Sequence, residues 1–256
     1  MRDLLTPTAK TLEAPSSKDI ARTAMVVVLG FALYGLTVGY WRSPVMGVYV
    51  ALKMPLLIAL TLACNGLLNG LFGLLLGSGL GFRQSLHALL SAFAISALIL
   101  GSVAPVTLFL ALNFPEANSG QAAASHSVYL LVHTFLIGLA GMAGVIRLGK
   151  LLESYADSRV IAHSTLGAWI AGNAFLGMQF SWILRPFFGS PGLKVEFLRA
   201  DLMNGSFYEA VWSALMQIYA KTPGGWVVPI MAAMLITALI FSIQHNQKRT
   251  KHHDRK

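Results

Sequence analysis

Acidic side chains are scarce in this sequence, ten Asp and Glu in 256 residues against 19 Lys and Arg. None interrupts a long apolar run; all fall in tails or connections, as Glu116, Glu153, Asp157 and Glu196 do. Proton-coupled pumps and transporters usually keep an Asp, Glu or His within the membrane as a relay. Only His133, with His87 near a span end, is left for that role. Cys64 is the only cysteine, so an intrachain disulfide is impossible and the redox compartment is not readable. There is no HExxH, no G-x-S-x-G and no glycine-rich phosphate loop closed by Lys-Ser/Thr. These absences disfavour an enzyme, and no cofactor is expected. The positive balance fits basic loops kept on the cytoplasmic side rather than nucleic-acid binding.

What is present in abundance is apolar. Of the residues, 55% are hydrophobic and 11% charged, far below the ~25% charge of soluble domains. Several uncharged runs exceed the ~20 residues that a bilayer requires. The expected fold is all-α, a polytopic membrane helix bundle of about six spans plus an interfacial amphipathic helix. A tail over 1–22 precedes a single membrane domain over 23–243, and a basic tail over 244–256 follows. The spans fall at about 23–41, 55–76, 86–112, 127–146, 164–184 and 226–243.

Ser16 with Asp19 three residues on resembles a capping box. The run from Thr23 to Trp41 is long and lacks an A-x-A-like cleavage site, so it reads as a span rather than a secretory signal. Ser43-Pro44 opens a short segment to Lys53, expected along the interface, and Pro55 opens the second span. On that span Gly66, Gly70, Gly73 and Gly77 share a face, a pattern that lets another helix approach closely. Asn65 and Asn69 share a neighbouring face, for interhelical hydrogen bonds or for a substrate. Pro105 should kink the third span. Gly138, Gly141 and Gly144 mark the fourth as close-packed. Leu148, Leu151, Leu152 and Tyr155 then recur at helical spacing, predicting an amphipathic surface helix within the connection 147–163.

The stretch from Asn173 to Gly192, NAFLGMQFSWILRPFFGSPG, gathers polar side chains at a membrane boundary. Arg185 there reads either as a boundary arginine beside Trp182 or as an anion or lipid-phosphate site, since guanidinium bonds phosphate bidentately. Further on, Ser206 and Glu209 form a capping box for a helix over 207–220, whose apolar side carries Tyr208, Trp212 and Tyr219. Such a helix belongs in the headgroup layer or on the protein itself. His126 and His133, seven apart, share a helix face, for structure or for a metal or relay. With the N-terminus inside and six spans, inside segments hold 13 of the 19 Lys and Arg. The positive-inside rule therefore places both termini in the cytoplasm.

The order YWRSP, LKMPLLIALTL, LLGSGLGFRQSLHALL, QFSWILRPFFGSP and NGSFYEAVW resembles a widespread set of uncharacterised bacterial multi-span membrane proteins. The resemblance covers Tyr40 to Trp212 and implies the bacterial cytoplasmic (inner) membrane. More distantly, Pro55 to Leu112 looks like the Yip family of multi-span proteins, a pattern from which the long loop departs.

The leading expectation is a non-catalytic membrane component, a scaffold or partner subunit. It rests on the glycine faces and the absence of acids within the spans. The alternative is a small transporter or lipid-handling protein with a polar site of Arg185, Gln179, Asn173, Asn65 and Asn69. The expected partners are the bilayer with anionic lipid, and a membrane protein or a second copy.

Overall fold

The computed structural model describes residues 16–117, 119–120, 122–209 and 212, and of 67, 74, 123 and 124 only the backbone. Among the described residues five long helices form an all-α bundle: α1 (Ser17–Tyr40), α2 (Pro44–Leu75), α3 (Phe82–Asn113), α4 (Ala122–Tyr155) and α5 (Arg159–Ile183). Four described stretches are long and apolar enough to cross a membrane: Ser17–Tyr40, Pro44–Gly66, Phe82–Asn113 and Ser125–Tyr155. They mark a membrane protein; α5 is not among them. The expected sixth span, at 226–243, lies outside the described residues.

Local signals start the helices. Ser16 Oγ accepts the Asp19 amide at 3.1 Å and caps α1. Gln84 Oε1 accepts the Gly81 amide at 2.7 Å at the head of α3. Ser158 Oγ accepts the Ile161 amide at 3.3 Å and caps α5. Each bond satisfies a donor that the first turn of a helix leaves open.

The helices close into a ring: α1 packs on α2 and α3, α3 on α4, α4 on α5, and α5 back on α2. Glycines set the closest approaches. A Cβ added to Gly30 of α1 would lie 2.5 Å from the Ala97 carbonyl oxygen of α3. One on Gly35 would lie 2.6 Å from the Val50 oxygen of α2, and one on Gly144 of α4 2.7 Å from the Ala92 oxygen of α3. The face of Gly66, Gly70 and Gly73 meets its own chain on the way back. Gly66 and Gly70 lie against Phe82, and Gly73 against Leu80. Gly77, at φ 78°, makes the turn itself.

Of the glycines expected to close-pack the fourth span only Gly144 does so, since a Cβ at Gly138 or Gly141 would meet nothing within 4 Å. Two further expectations need correction. Residues 44–53 are not a separate interfacial segment, because α2 runs unbroken from Pro44 with Pro55 inside it. Met46, Val50, Lys53 and Met54 are buried, and the backbones of Met46 and Val50 press on Gly39 and Gly35. That packing outweighs the bond lost at the proline, which membrane helices tolerate where neighbours re-satisfy the backbone. Nor does a surface helix follow residue 146. The fourth span continues to Tyr155, and Leu148, Leu151 and Leu152 are buried in the core. Their apolar stripe faces the bundle, and the chain breaks only at 156–158.

The chain divides after Asn204 into two compact units. In the second, the predicted capping box is formed: the Glu209 amide donates to Ser206 Oγ and the Ser206 amide to Glu209 Oε2, each at 3.1 Å. Most of the helix expected over 207–220 lies outside the described residues.

Candidate functional site

Successive contacts show α2 and α5 packed antiparallel: Thr61 meets Gly177, Asn65 meets Gly172, and Asn69 meets Trp169. Polar residues four apart fall on one helical face. On α2 that face carries Thr61, Asn65 and Asn69; on α5 it carries Thr165, Trp169 and Asn173. Asn65, Asn69, Thr165 and Trp169 are all fully buried. The Trp169 indole donates to the Asn69 carbonyl at 2.9 Å, and Asn173 Nδ2 donates to the Trp169 carbonyl at 2.7 Å. Six other polar side-chain atoms of the seam have no partner among the described residues. They are both amide atoms of Asn65, both of Asn69, Thr165 Oγ1 and Asn173 Oδ1. Burying such a group unpaired costs a few kcal/mol, so a concentration of them between two helices calls for an explanation.

A groove of about 270 Å³ adjoins this seam. Its floor is α3, with Leu89, Ala92, Phe93 and Ser96; α4 forms one wall at Gly141 to Leu148, and α5 the other at Trp169 to Ala174. It begins seven residues into α3, roughly 10 Å along the axis of a helix long and apolar enough to cross a membrane. No charged side chain lines it. A Cβ added at Gly141 would meet nothing within 4 Å.

The sequence-predicted site residues divide between two places. Asn65, Asn69 and Asn173 come together in the seam. Arg185 lies past the end of α5, 12 residues beyond Asn173, about 18 Å further along at the helical rise. Its guanidinium stacks on the Trp182 ring at 3.9 Å and donates to the Trp182 carbonyl at 2.8 Å. Asp201 stands 3.8 Å from it. Gln179 is half-buried on α5 between the two places.

The loop after α5 covers a residue that sequence reasoning had placed at the interface. Lys53 is fully buried and donates to the Pro186 carbonyl at 2.8 Å. The rings of Phe197 and Phe187 lie 5.2 and 5.9 Å from its ammonium group. No described carboxylate pairs with it. Arg42 binds the same loop, donating to the Leu193 carbonyl at 3.1 Å. Nothing local in the sequence marks Lys53, since its burial depends on a loop more than 130 residues away.

A second polar cluster joins α1, α3 and α4. Tyr34 Oη is 2.7 Å from His133 Nδ1, Tyr129 donates to the Thr37 carbonyl at 2.8 Å, and the Thr37 and Thr107 hydroxyls lie 2.7 Å apart. His133 packs on the Tyr129 ring at 4.3 Å, and His126 lies 5.8 Å from the Trp41 ring. No three His, Cys, Asp or Glu side chains converge among the described residues. The two tyrosines were missed, although Tyr129 is four residues before His133 on the same face. Thr165 and Trp169 were missed as well, although the spacing Thr165, Trp169, Asn173 mirrors Thr61, Asn65, Asn69.

The chain matches no family model, no curated protein and no solved structure.

Proposed function

We propose that the protein is a non-catalytic, lipid-handling membrane protein that holds an amphiphile in the groove between α3, α4 and α5. The observation that carries this reading is the combination at Asn173. Asn173 lines a largely apolar groove, and its Oδ1 is buried with no partner among the described residues. Ligand sites are typically apolar cavities of ~300–1,000 Å³ with a few placed polar groups, and this one, at about 270 Å³, lies just below that range. The location supports the reading further, because a molecule dissolved in the bilayer would reach the groove sideways, between α4 and α5. The setting we propose is the bacterial cytoplasmic membrane, with six spans and both termini inside. Labelling of single cysteines from the two sides of the membrane tests that topology.

Occupancy is tested with the full-length protein in lipid nanodiscs, by native mass spectrometry of bound amphiphile. Gly141 lines the groove and a Cβ there would meet nothing within 4 Å, so Gly141→Leu adds bulk at the groove without an immediate clash. It should leave thermal stability unchanged and abolish retention. Equal retention by wild type and variant would remove the groove as the site.

A scaffold or partner-subunit role is the second reading. The outward face of α4 favours it: Leu131, Phe135 and Met142 are exposed around Gly138, which has nothing within 4 Å. Small residues on such a face allow close helix association in a membrane. Isolation of native complexes with a stoichiometric protein partner would favour this reading, and a lone chain would weaken it.

A further inference from the structure

The loop after α5 folds around a cavity of its own, about 290 Å³ in volume and separate from the groove. Four charged side chains line it: Lys194, Glu196, Arg199 and Asp201. They do not cancel one another. The side chains of Lys194, Glu196 and Arg199 have no ion pair or hydrogen bond among the described residues, and Asp201 stands 3.8 Å from Arg185. Two cations and one carboxylate therefore remain for whatever enters. The walls are fixed in advance. Lys53 holds the Pro186 carbonyl at 2.8 Å, Arg42 holds the Leu193 carbonyl at 3.1 Å, and Phe197 packs edge-on against Tyr49 of α2 at 5.3 Å. A preformed wall lowers the ordering cost of binding. Gly189, also in the lining, presses on Arg42; a Cβ there would lie 2.7 Å from Arg42 Cγ. Arg42 stands two residues before the membrane-crossing stretch Pro44–Gly66, and headgroups lie at the ends of such stretches.

The lining asks for both charges at once. A guanidinium grips a phosphate bidentately, and a lysine adds a point charge. A carboxylate takes a cation that can donate to it. A headgroup with negative charge alone would bring a like charge up to Glu196. A quaternary ammonium has no N–H to give, and its usual partners are aromatic faces, of which the lining has none. We propose that this cavity binds a zwitterion, a phosphate ester carrying a primary ammonium, with Arg199 and Lys194 on the phosphate and Glu196 on the ammonium. Phosphoethanolamine is the chemical class, either free or as the headgroup of a lipid. The site is independent of the groove and of the amphiphile assigned to it.

The test titrates the full-length protein in detergent with three dioleoyl phospholipids, whose headgroups are ethanolamine, choline and glycerol, and reads binding by native mass spectrometry. Wild type should bind the ethanolamine lipid about tenfold more tightly than the other two, the scale of one hydrogen bond to a charged group. Glu196→Gln should erase that preference. Arg199→Gln should weaken all three lipids and keep the ethanolamine lipid ahead of the choline lipid. Neither side chain has a partner among the described residues, so neither change should move the melting temperature. Gly141→Leu, which adds bulk at the groove, should leave the preference intact. Glycerophosphoethanolamine and glycerophosphocholine, the same headgroups without chains, separate the two sources. An ethanolamine preference as strong between these soluble esters as between the lipids assigns the cavity to the free ester, and one confined to the lipids assigns it to the headgroup. No ethanolamine preference in either set, or one that survives Glu196→Gln, would overturn the proposal. A preference lost in Gly141→Leu would move the binding to the groove and overturn it equally.

Discussion

Two buried polar clusters occupy the same bundle and are completed differently. Between α1, α3 and α4, Tyr34 meets His133, Tyr129 meets the Thr37 carbonyl, and Thr37 meets Thr107, leaving one imidazole nitrogen, Nε2 of His133, over. Between α2 and α5, six amide and hydroxyl atoms of Asn65, Asn69, Thr165 and Asn173 have no partner among the described residues. Both clusters lie in an apolar surrounding, where an unmet hydrogen bond is costly. The first is a closed network and acts as architecture, fixing how three helices meet. The second lacks partners among the described residues, and it shares Trp169 and Asn173 with the groove. Chemical residue type does not separate the two; partner supply does.

The largest expected effect breaks the closed side. Gly30→Leu drives a side chain into the Ala97 backbone, 2.5 Å from where its Cβ would stand. Backbone cannot rotate away, so α1 and α3 must part and Thr37 must leave Thr107. The expected loss is about 3 kcal/mol or more, read as loss of folded protein on size-exclusion chromatography. A monodisperse, wild-type-like variant would show that the α1–α3 contact does not hold the network.

A paired substitution sharpens the contrast. Tyr34→Phe removes one partner of a closed bond and strands His133 Nδ1, which should cost about 1–2 kcal/mol. Asn69→Leu removes two atoms that had no side-chain partner while keeping similar bulk. It should be neutral or stabilise by up to about 1 kcal/mol. Thermal unfolding in detergent gives both values. An Asn69→Leu variant as unstable as Tyr34→Phe would mean that the seam is satisfied after all, and the comparison would fail.

The smallest effect is expected at Arg185, outside both clusters. Arg185→Lys keeps the charge and loses the flat stack on Trp182. Stability should fall by less than about 1 kcal/mol, and amphiphile occupancy of the groove should not change. Loss of co-purifying anionic lipid in this variant alone would place a second ligand site in the loop.

The membrane class, the helical architecture and several helix starts were legible in the chain, because each depends on neighbours in sequence. Length and hydropathy mark the apolar helices. Ser16 with Asp19, and Ser206 with Glu209, bond within one turn, so their spacing alone reveals them. The pairing of Asn65 with Asn69 was legible for the same reason, since i and i+4 must share a face. The packing of their face against Thr165, Trp169 and Asn173 was not, because it depends on how α2 and α5 are set against each other.

Tertiary structure decided what long-range contacts decide. Pro55 is a helix opener when judged locally, yet α1 packs across 44–54 and carries α2 straight through it. Leu148, Leu151 and Leu152 form the same stripe whether it faces headgroups or protein, and only the neighbouring helices settle that it faces inward. Lys53 looks like any loop cation until the chain after α5 folds back and covers it. The seam follows the same rule. Sequence specifies which side chains can donate and accept, but a donor is spent only when a carbonyl from another element arrives within reach. Ser96 loses its donor to Ala140 and Trp169 loses its donor to Asn69 through contacts between helices, and Asn173 Oδ1 is left with no partner among the described residues.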